Sequence, residues 1–351
     1  MITMFIDVLM ISFSMSILII IILGLKNKLF HKYTEMFKYI LCTGITLRLI
    51  FVKRISIPMP EILAKSEQLN NKTILDYLAN ITTQSNIRLN PLEIACCIWL
   101  MGIIVVSIYY IKKQINFYKK IENLKSYITE KDIYNILESQ KNDLNIKRHI
   151  KLSRLDGIYS PMIVGVINPE IIIPNRNYTY NNLNHIFRHE LIHYKRKDNL
   201  LKLILTVSSI IHWFNPAIFL LKNYFLNQCE LSCDELATKD FTINESKEYS
   251  LLLLDTVKYK NKLNSQMCVS YLNTYKSNLT KDRIENILAN KNYKKGTTTA
   301  ILLGLVILTS TVSLHREITE FVPASYEKIS HYNDGIIIEF INNESIYNKN
   351  Q

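Results

Sequence analysis

Long apolar runs are the feature that most limits how this chain can fold. Residues 4–25, MFIDVLMISFSMSILIIIILGL, are long enough to cross the hydrocarbon layer of a membrane as one helix. A basic segment, KNKLFHK, follows without a small-residue cleavage site, so the sequence predicts an uncleaved anchor rather than a signal peptide. Three further runs, at residues 36–52, 92–111 and 297–314, predict three more spanning helices. The run at 36–52 is the weakest of them, because it is shorter and contains Arg48.

The placement of positive charge predicts which side of the membrane each segment occupies. Lys and Arg are enriched in cytoplasmic loops, and here they follow the first and third runs and precede the fourth. The prediction is a membrane region at residues 1–112, a cytoplasmic domain at 113–296 and a fourth helix at 297–314. The loop at 53–91 and the tail at 315–351, like the N-terminus, then lie outside the cell.

Two features of the predicted outer loop bear on this scheme. Lys53 and Arg54 lie on the outer side, against the charge rule, although long basic side chains can reach back to the interface. The rest of the loop is amphipathic, which is typical of a helix lying on the membrane surface. A sensor surface is the alternative.

The overall composition agrees with a membrane protein. The chain has 351 residues, is 48% hydrophobic and carries a formal net charge of +12, from 42 Lys and Arg against 30 Asp and Glu. No cluster of basic residues is interleaved with aromatic residues, so we expect no direct binding of nucleic acid. The six cysteines are scattered, which indicates a reduced cytoplasmic domain rather than a disulfide framework.

The predicted cytoplasmic domain opens with a polar stretch, KKIENLKSYITEKDIYNILESQKNDL, which we expect to be helical. The pattern changes at residues 150–174, IKLSRLDGIYSPMIVGVINPEIIIP. Runs rich in Ile and Val are broken by Asp-Gly, Ser-Pro and Asn-Pro, which predicts short strands joined by turns. One interpretation is a purely structural hairpin. The other is an edge strand beside an active site, where an extended peptide adds through backbone hydrogen bonds. On that second interpretation, Gly165 and Val166 are candidates to contact the substrate.

The stretch RHELIHYKRKD contains the pattern His-Glu-x-x-His at His189, Glu190 and His193. Histidines four apart lie about 6 Å from each other on one helical face, so both imidazoles can bind one zinc ion. Glu190 is placed to take a proton from a metal-bound water and to pass it to a leaving amine. His185 continues the stripe but is about 12 Å from His193, too far to bind the same ion. We expect it to be solvated, or to contact a metal ligand without binding the metal itself.

A third ligand is expected from NQCELSCDELA, which holds two interleaved helical pairs. Cys229 and Cys233 would complete a closed, structural site with the two histidines. Glu230 would instead leave a position open for water, with Asp234 one turn later orienting a histidine. Composition does not choose between these sets. A glutamate directly after the first histidine has no use in a closed site, which favours the acids.

The apolar stretch between the two motifs, LILTVSSIIHWFNPAIFLL at residues 203–221, cannot simply cross the membrane, because the motifs would then lie on opposite sides. We expect helix from His193 to Phe214 and again from Ala217 to Glu230. Proline cannot continue a helix, so we predict a break at Asn215-Pro216 and a bent helical hairpin that dips into the inner leaflet. His212, on the apolar side, is expected to be a hydrogen-bonded core histidine. Contact with substrate is the alternative.

Four motifs in this order resemble the BlaR/MecR family of beta-lactam-responsive membrane metalloproteases. They are SPMIVGVINPEIIIP, RHELIHYKRKD, HWFNP and CELSCDELA, and the membrane plan extends the likeness to about residues 1–314. The Glu-x-x-x-Asp pair also resembles the CAAX prenyl proteases. The resemblance implies a mainly α membrane protein with four transmembrane helices. Its cytoplasmic α+β zinc metalloprotease domain is gluzincin-like and contains a small sheet and a membrane-dipping helical hairpin.

Carried over by motif, the resemblance also implies a role for each site residue. Zn²⁺ would be bound by His189, His193 and Glu230, with Glu190 as the general base. Asp234 would support the ligands, and Asp198, at a position common in the family, would support the end of the helix.

The resemblance implies a signalling protease of the cell membrane that cleaves a cytoplasmic or membrane protein, such as a repressor. A drug-sensing domain follows the last span in that family, whereas the tail at 315–351 is too short to form one. We therefore expect no direct beta-lactam binding by this chain and a separate sensor protein as a candidate partner, beside the lipid bilayer and a second copy in a homodimer. The alternatives are a non-proteolytic receptor or scaffold with a structural metal, and a housekeeping protease for membrane-protein quality control.

Overall fold

The computed structural model describes most of the chain between its N-terminus and residue 289. The described residues are 2–25, 30–51, 55–58, 91–262, 277–289, 294, 296, 304, 312–315, 331–332 and 335–336. They belong to two compact units: Met1–Arg54 with Ile87–Thr311, and Ile55–Asn86 with Val312–Gln351.

Helices make up most of the first unit, in agreement with the predicted fold class. They are α1 (Ile2–Leu25), α2 (Glu35–Ile50), α3 (Pro91–Leu124), α4 (Lys131–Asp143), α5 (Tyr180–Lys195), α6 (Asp198–Ile211), α7 (Pro216–Ala237), α8 (Ile243–Lys262) and α9 (Ser277–Leu288). A short 3₁₀ turn, Phe30–Lys32, precedes α2.

The described strands are short and form three small sheets. They are β1 (Ile55–Pro58), β2 (Lys125–Tyr127), β3 (Lys151–Leu155), β4 (Met162–Val164), β5 (Glu170–Pro174), β6 (Val312–His315), β7 (His331–Tyr332) and β8 (Gly335–Ile336). In the first unit the order is β2-β3-β5-β4; β3 and β5 are parallel and the other pairs antiparallel. In the second unit β1 pairs in parallel with β6, and β7 pairs antiparallel with β8.

Two helices of the described residues, α1 and α3, are long and apolar enough to cross a membrane. Both present apolar side chains outward: Phe13 of α1 is 70% exposed and Met101 of α3 is 65% exposed. Such surfaces are stable against lipid. Helix α3 continues to Leu124, well beyond the predicted end at residue 111. Lys, Gln, Glu and Leu in its basic flank favour helix, so the helix continues past the apolar run.

The predicted spans at 36–52 and 297–314 remain predictions. Helix α2 has 16 residues, about 24 Å of helix, whereas the hydrocarbon layer is about 30 Å thick. Its residues Leu41, Cys42 and Ile45 are buried within the first unit.

The run at 297–314 falls mostly outside the described residues. Its last residues, 312–314, belong to β6 and not to a helix, because they pair with β1. Most of the predicted outer loop at 53–91 and of the tail at 315–351 also lies outside the described residues.

The helical hairpin breaks where the sequence predicts. Helix α6 ends at Ile211 and α7 begins at Pro216, so the break at Asn215-Pro216 is confirmed. The Asn215 side chain accepts a hydrogen bond from the backbone N–H of Ala217 at 2.9 Å and thereby caps α7.

A second break, which the sequence reasoning missed, separates α5 from α6. Helix α5 ends at Lys195 and α6 begins at Asp198, with Lys197 in a left-handed conformation at φ 60°. The expectation of one continuous helix from His193 into the apolar stretch is therefore wrong. The left-handed residue turns the chain so that Asp198 points back to the end of α5.

The strands predicted within residues 150–174 are confirmed as β3, β4 and β5, with β4 at the edge of the sheet. The stretch before them differs from the prediction of a helix, because Lys125–Tyr127 forms strand β2 between α3 and α4. One reason is a tertiary contact: the Lys125 ammonium reaches the Glu170 carboxylate of β5 at 3.0 Å, which holds β2 against the sheet. The core between the sheet and α5 includes Leu152, Ile171, Phe187 and Leu191.

Candidate functional site

Helix α5 carries the His-Glu-x-x-His pattern on its side facing α7. Thr179 caps the helix by accepting a hydrogen bond from the backbone N–H of Asn182 at 3.2 Å. With Phe187 and Leu191 buried in the core, the opposite side presents His189, Glu190 and His193. These three side chains are largely buried, so water has little access to them except through the adjoining cavity.

Two imidazoles and one carboxylate converge at the contact between α5 and α7. His189 Nε2 lies 3.1 Å from His193 Nε2. The Glu230 carboxylate oxygens lie 3.5 Å from His189 Nε2 and 3.6 Å from His193 Nε2. Ligands about 2.0 Å from a tetrahedral zinc are about 3.3 Å apart. The two imidazole nitrogens are close to that separation, and each faces a different oxygen of the Glu230 carboxylate. The two rings and the carboxylate therefore surround a space that suits one such ion.

Asp198 holds the outer nitrogen of the second histidine. His193 Nδ1 lies 2.6 Å from Asp198 Oδ2, and Arg196 also donates to this carboxylate. The Tyr39 hydroxyl donates to the other Asp198 oxygen at 2.6 Å. A carboxylate at Nδ1 keeps the hydrogen on that nitrogen and leaves the Nε2 lone pair free for a metal. Asp198 therefore does more than support the end of the helix.

A matching network holds the first histidine. The Tyr249 hydroxyl of α8 lies 2.9 Å from His189 Nδ1 and donates to Asp234 Oδ1 at 2.7 Å. Arg283 of α9 donates to both Asp234 oxygens, at 2.6 and 2.8 Å. The same guanidinium lies 3.3 Å from Glu230. Asp234 thus acts on His189 largely through Tyr249, and Arg283 ties both carboxylates together.

The cysteines of α7 lie close enough to compete for a metal. Sulfur and nitrogen atoms of His189, His193 and Cys233 lie within 4.8 Å of one another, as do donors of His193, Asp198 and Cys229. Both thiols have other partners: Cys229 donates to Asp198 at 3.1 Å, and Cys233 donates to the His189 carbonyl at 3.4 Å. Both are fully buried. The Glu230 carboxylate, in contrast, faces a cavity.

That cavity, of about 360 Å³, opens beside the converging donors. Its polar wall contains His189, Glu190, His193 and Glu230, with Lys202 nearby. Its apolar wall is formed by β4, α5 and α8, with Met162, Ile163, Ile186, Leu252, Leu253 and Val257. A position beside the two imidazoles and the Glu230 carboxylate is therefore open to a water molecule and to an apolar ligand group.

The edge strand β4 borders this cavity and is attached to α6. The Asn199 side-chain amide donates to the Ile163 carbonyl at 3.0 Å and to the Gly165 carbonyl at 3.4 Å. Asn199 directly follows Asp198, which holds His193. One turn of α6 therefore fixes the position of the strand relative to the histidine pair.

Four other predicted residues lie away from the donors. His212 is fully buried, its Nε2 lies 3.0 Å from the Leu49 carbonyl, and it is not in the cavity wall. This contact favours the expected core role of His212 over contact with substrate. His185 is packed against the Phe241 ring and does not reach the donors. Gly165 and Val166 line a neighbouring cavity that also touches His193.

Sequence reasoning missed five residues of the site: Tyr39, Arg196, Lys202, Tyr249 and Arg283. No spacing pattern links Tyr39, Tyr249 or Arg283 to the motif, since α2, α8 and α9 are far away in sequence. The sequence could have indicated the other two residues by their positions near the motif. Arg196 adjoins the motif, and Lys202 lies on the same face as Asp198, one turn on.

Neighbouring charged groups shift the pKa values of the histidines and of Asp234 in the site. Burial would lower the pKa of both histidines, but Cys233 and Tyr249 near His189, and Cys233 and Glu230 near His193, raise each pKa well above the usual histidine value. Burial opposes ionisation of Asp234 also, yet the Arg283 guanidinium lowers its pKa to about 2. A divalent cation bound here would replace the protons of the imidazoles.

The comparison with protein families matches most of the chain. The sequence model of the family described as BlaR1 peptidase M56 matches residues 6–287.

Curated relatives point the same way. The chain is 27% identical to the regulatory protein BlaR1 of Bacillus licheniformis over 182 residues, which cover 51% of this chain and 30% of that protein. It is 26% identical to the methicillin resistance mecR1 protein of Staphylococcus aureus over 246 residues, 66% of this chain and 41% of the relative. The regulatory protein BlaR1 of Staphylococcus aureus is 25% identical over 256 residues, 70% of this chain and 42% of the relative. The matched part of the chain therefore spans less than half the length of these relatives.

Proposed function

This chain belongs to the BlaR1 peptidase M56 family, and we propose that it is a membrane-bound zinc endopeptidase whose metal is held by His189, His193 and Glu230. The family makes the chain a metallopeptidase; the identity of the metal and its ligands are the proposal. The observation that carries it is the convergence of the two Nε2 atoms and the Glu230 carboxylate, 3.1 to 3.6 Å apart, at the wall of an open cavity.

The chain's own residues supply the rest of the chemistry. Zinc in a site of this kind activates a bound water and polarises the carbonyl of the peptide bond. Glu190, in the same cavity wall, acts as the general base: it takes the proton of the attacking water and gives it to the leaving amine. Asp198 and Tyr249 accept the Nδ1 hydrogens of His193 and His189 and so keep both rings in the orientation that binds metal.

The edge strand β4 is the element that we propose to hold the substrate. It pairs on one side with β5, and it borders the cavity that contains Glu190. An extended peptide can add to such an edge through backbone hydrogen bonds, while its side chains enter the adjoining cavities. The apolar wall then favours an apolar side chain close to the bond that is cleaved.

The proposed role is regulatory proteolysis in a response to antibiotics. The relatives are named a regulatory protein and a methicillin resistance protein, which supports a protein substrate with a regulatory task, such as a cytoplasmic repressor. Because the chain spans less than half of these relatives, its substrate and inducing signal are proposals. A separate sensor protein and a homodimer are likewise proposed partners.

We propose that the catalytic domain, residues 113–296, faces the cytoplasm of a multi-pass membrane protein. The apolar helices α1 and α3 support membrane insertion. Exposed Leu203 of α6 and Leu220 of α7 support a hairpin that enters the inner leaflet. Attaching a reporter enzyme within residues 113–296 and after residue 351 would test the predicted sides.

The test of the enzyme is a comparison of the native chain with Glu190→Gln. We expect the variant to keep its zinc and to lose cleavage by a factor of roughly 10² to 10⁴. New protein N-termini would be counted in membranes that contain either form, with the exposed Glu285→Gln as the matched control. Equal sets of new N-termini from the native chain and from the Glu190→Gln variant would contradict a peptidase.

A second candidate function is a receptor or scaffold with a structural metal, which the closeness of Cys233 to both histidines favours. It predicts tightly bound metal without any new N-termini. A housekeeping protease is the third candidate. It would produce new N-termini in many unrelated membrane proteins, whereas a signalling protease would produce them in one or a few.

A further inference from the structure

A second cavity, of about 510 Å³, lies beside the first. His193 and Asn199 line both cavities, so the two volumes meet at the metal donors and at the residue that holds β4. Strand β4 runs from one to the other. Met162 and Ile163 border the first cavity, and Gly165 and Val166, directly after the strand, border the second.

The second cavity differs from the first in its charge. Its wall contains four basic side chains: Lys147, Arg148, Lys195 and Lys197. All four are exposed, and its wall contains no Asp or Glu. Among the described residues, no carboxylate lies within 4.0 Å of the charged groups of these four. The Arg148 guanidinium donates to the Ile167 carbonyl at 3.0 Å, which holds it at the turn between β4 and β5.

The backbone around this cavity has an unusual conformation at three positions. Asn145 (φ 56°), Gly165 (φ 84°) and Lys197 (φ 60°) each end or connect an element, and all three line the cavity. A side chain at Gly165 would meet the Asn168 carbonyl oxygen at 2.2 Å. Left-handed backbone at non-glycine residues costs free energy and persists where the surrounding structure holds it. The shape of this wall is therefore fixed by the fold.

We propose that the second cavity binds an acidic segment of the substrate. This rests on the proposed peptidase function and adds the substrate's chemical class. A peptide extended along β4 would place an apolar side chain in the first cavity and Asp or Glu side chains among Lys147, Arg148, Lys195 and Lys197. Its preferred substrates carry apolar residues on one side of the cleaved bond and acidic residues on the other.

An acidic peptide explains the position of this cavity better than an anionic lipid does. A lipid-binding site would have no need to share His193 and Asn199 with the cavity that contains Glu190. A peptide extended along β4 would pass both, because Met162 and Ile163 border the first cavity and Gly165 and Val166 border the second. The basic side chains of the second cavity thus lie where a peptide that extends along β4 would pass.

Binding to the Glu190→Gln chain tests the inference without requiring cleavage. The full chain is loaded with zinc in neutral detergent and titrated with short fluorescent peptides. Each peptide joins an apolar segment to a run of Glu, Gln or Lys, in both orders. We expect the Glu peptide to bind roughly five- to tenfold more tightly than the Gln peptide in one of the two orders. This preference falls as salt is raised.

Two double variants separate the cavity from general surface charge. In Lys147→Gln/Lys195→Gln the preference for Glu disappears. In Lys131→Gln/Lys239→Gln, which changes two exposed lysines outside both cavities, it stays. Equal binding of all peptides, no binding at all, or a preference that survives the first double variant would overturn the inference.

Three further outcomes separate this inference from others. Displacement of the peptide by phosphatidylglycerol micelles but not by zwitterionic ones would assign the cavity to lipid and overturn the inference. Acid-selective binding without new N-termini from the native chain would support the acid-binding cavity and contradict the peptidase function. New N-termini without acid-selective binding would support the peptidase function and overturn the acid-binding cavity.

Discussion

His193 and Asp198 meet across the break between two helices, with Nδ1 of the histidine 2.6 Å from Oδ2 of the aspartate. The left-handed residue Lys197 makes this contact possible, because a continuous helix would carry residue 198 away from residue 193. Asp198 is fully buried, and Arg196 and Tyr39 also donate to it. The short break in the chain therefore serves to orient the imidazole of His193, the proposed metal ligand.

Asp198→Asn should weaken zinc binding by about 10- to 100-fold. An amide at this position holds the imidazole less strongly and does not fix its hydrogen on Nδ1. Zinc affinity would be measured by competition with a chelator, with the exposed Asp240→Asn as the control. An unchanged affinity in Asp198→Asn would mean that the contact does not support a ligand.

Substitutions of Glu230 and of Cys233, the two candidates for the third ligand, should have opposite effects on zinc content. Glu230→Gln should lose zinc, because one of three protein ligands loses its charge. Cys233→Ser should keep zinc and cleavage, because its thiol bonds to the His189 carbonyl and lies outside the cavity wall. Metal content of the purified chains would be measured. Zinc lost from Cys233→Ser and kept in Glu230→Gln is the result that the structural site predicts.

Arg283→Met should lower the free energy of unfolding by about 3–5 kcal/mol, because it leaves the buried Asp234 carboxylate without its charged partner. Lys281→Met is the matched control on the same helix. Lys281 is 74% exposed in its ion pair with Glu285, and its loss should change the free energy by less than about 0.5 kcal/mol. Both would be measured by denaturation in detergent. Equal effects of the two changes would show that Arg283 does not stabilise the fold through Asp234.

The pH dependence of stability should include a contribution from His185. Burial lowers its pKa, and nearby Glu248 and Glu245 offset only part of that effect. Below about pH 6.5 the unfolded chain therefore binds a proton more readily than the folded one, so the free energy of unfolding falls as the pH falls.

His185→Gln removes that contribution. The melting temperature of the variant should fall less between about pH 7 and pH 5 than that of the native chain. His149→Gln, which changes an exposed histidine, is the control variant. A steeper slope in His185→Gln would show that folding raises the pKa of His185.

Much of the site could be predicted because its residues lie in two local helical patterns. The four-residue spacing of His189 and His193 and the i, i+4 pair Glu230 and Asp234 each define one face of a helix. Asn215-Pro216 marks the break that brings those faces together. Local rules of helix geometry were sufficient for this part.

The parts that could not be predicted depend on tertiary contacts. Lys197 adopts a left-handed conformation that its residue type disfavours, and the buried contact between Asp198 and His193 compensates for it. Tyr249 and Arg283 reach the site from helices without a motif. Strand β2 replaces a predicted helix because Lys125 finds its partner Glu170 in another strand. Such contacts leave no periodic signal in the sequence.

X-ray absorption at the zinc edge of the purified, zinc-loaded chain tests the central claim most directly. The set of His189, His193 and Glu230 predicts only nitrogen and oxygen neighbours, at about 2.0–2.2 Å from zinc. A sulfur neighbour at about 2.3 Å would place Cys233 or Cys229 on the metal and contradict the open catalytic site.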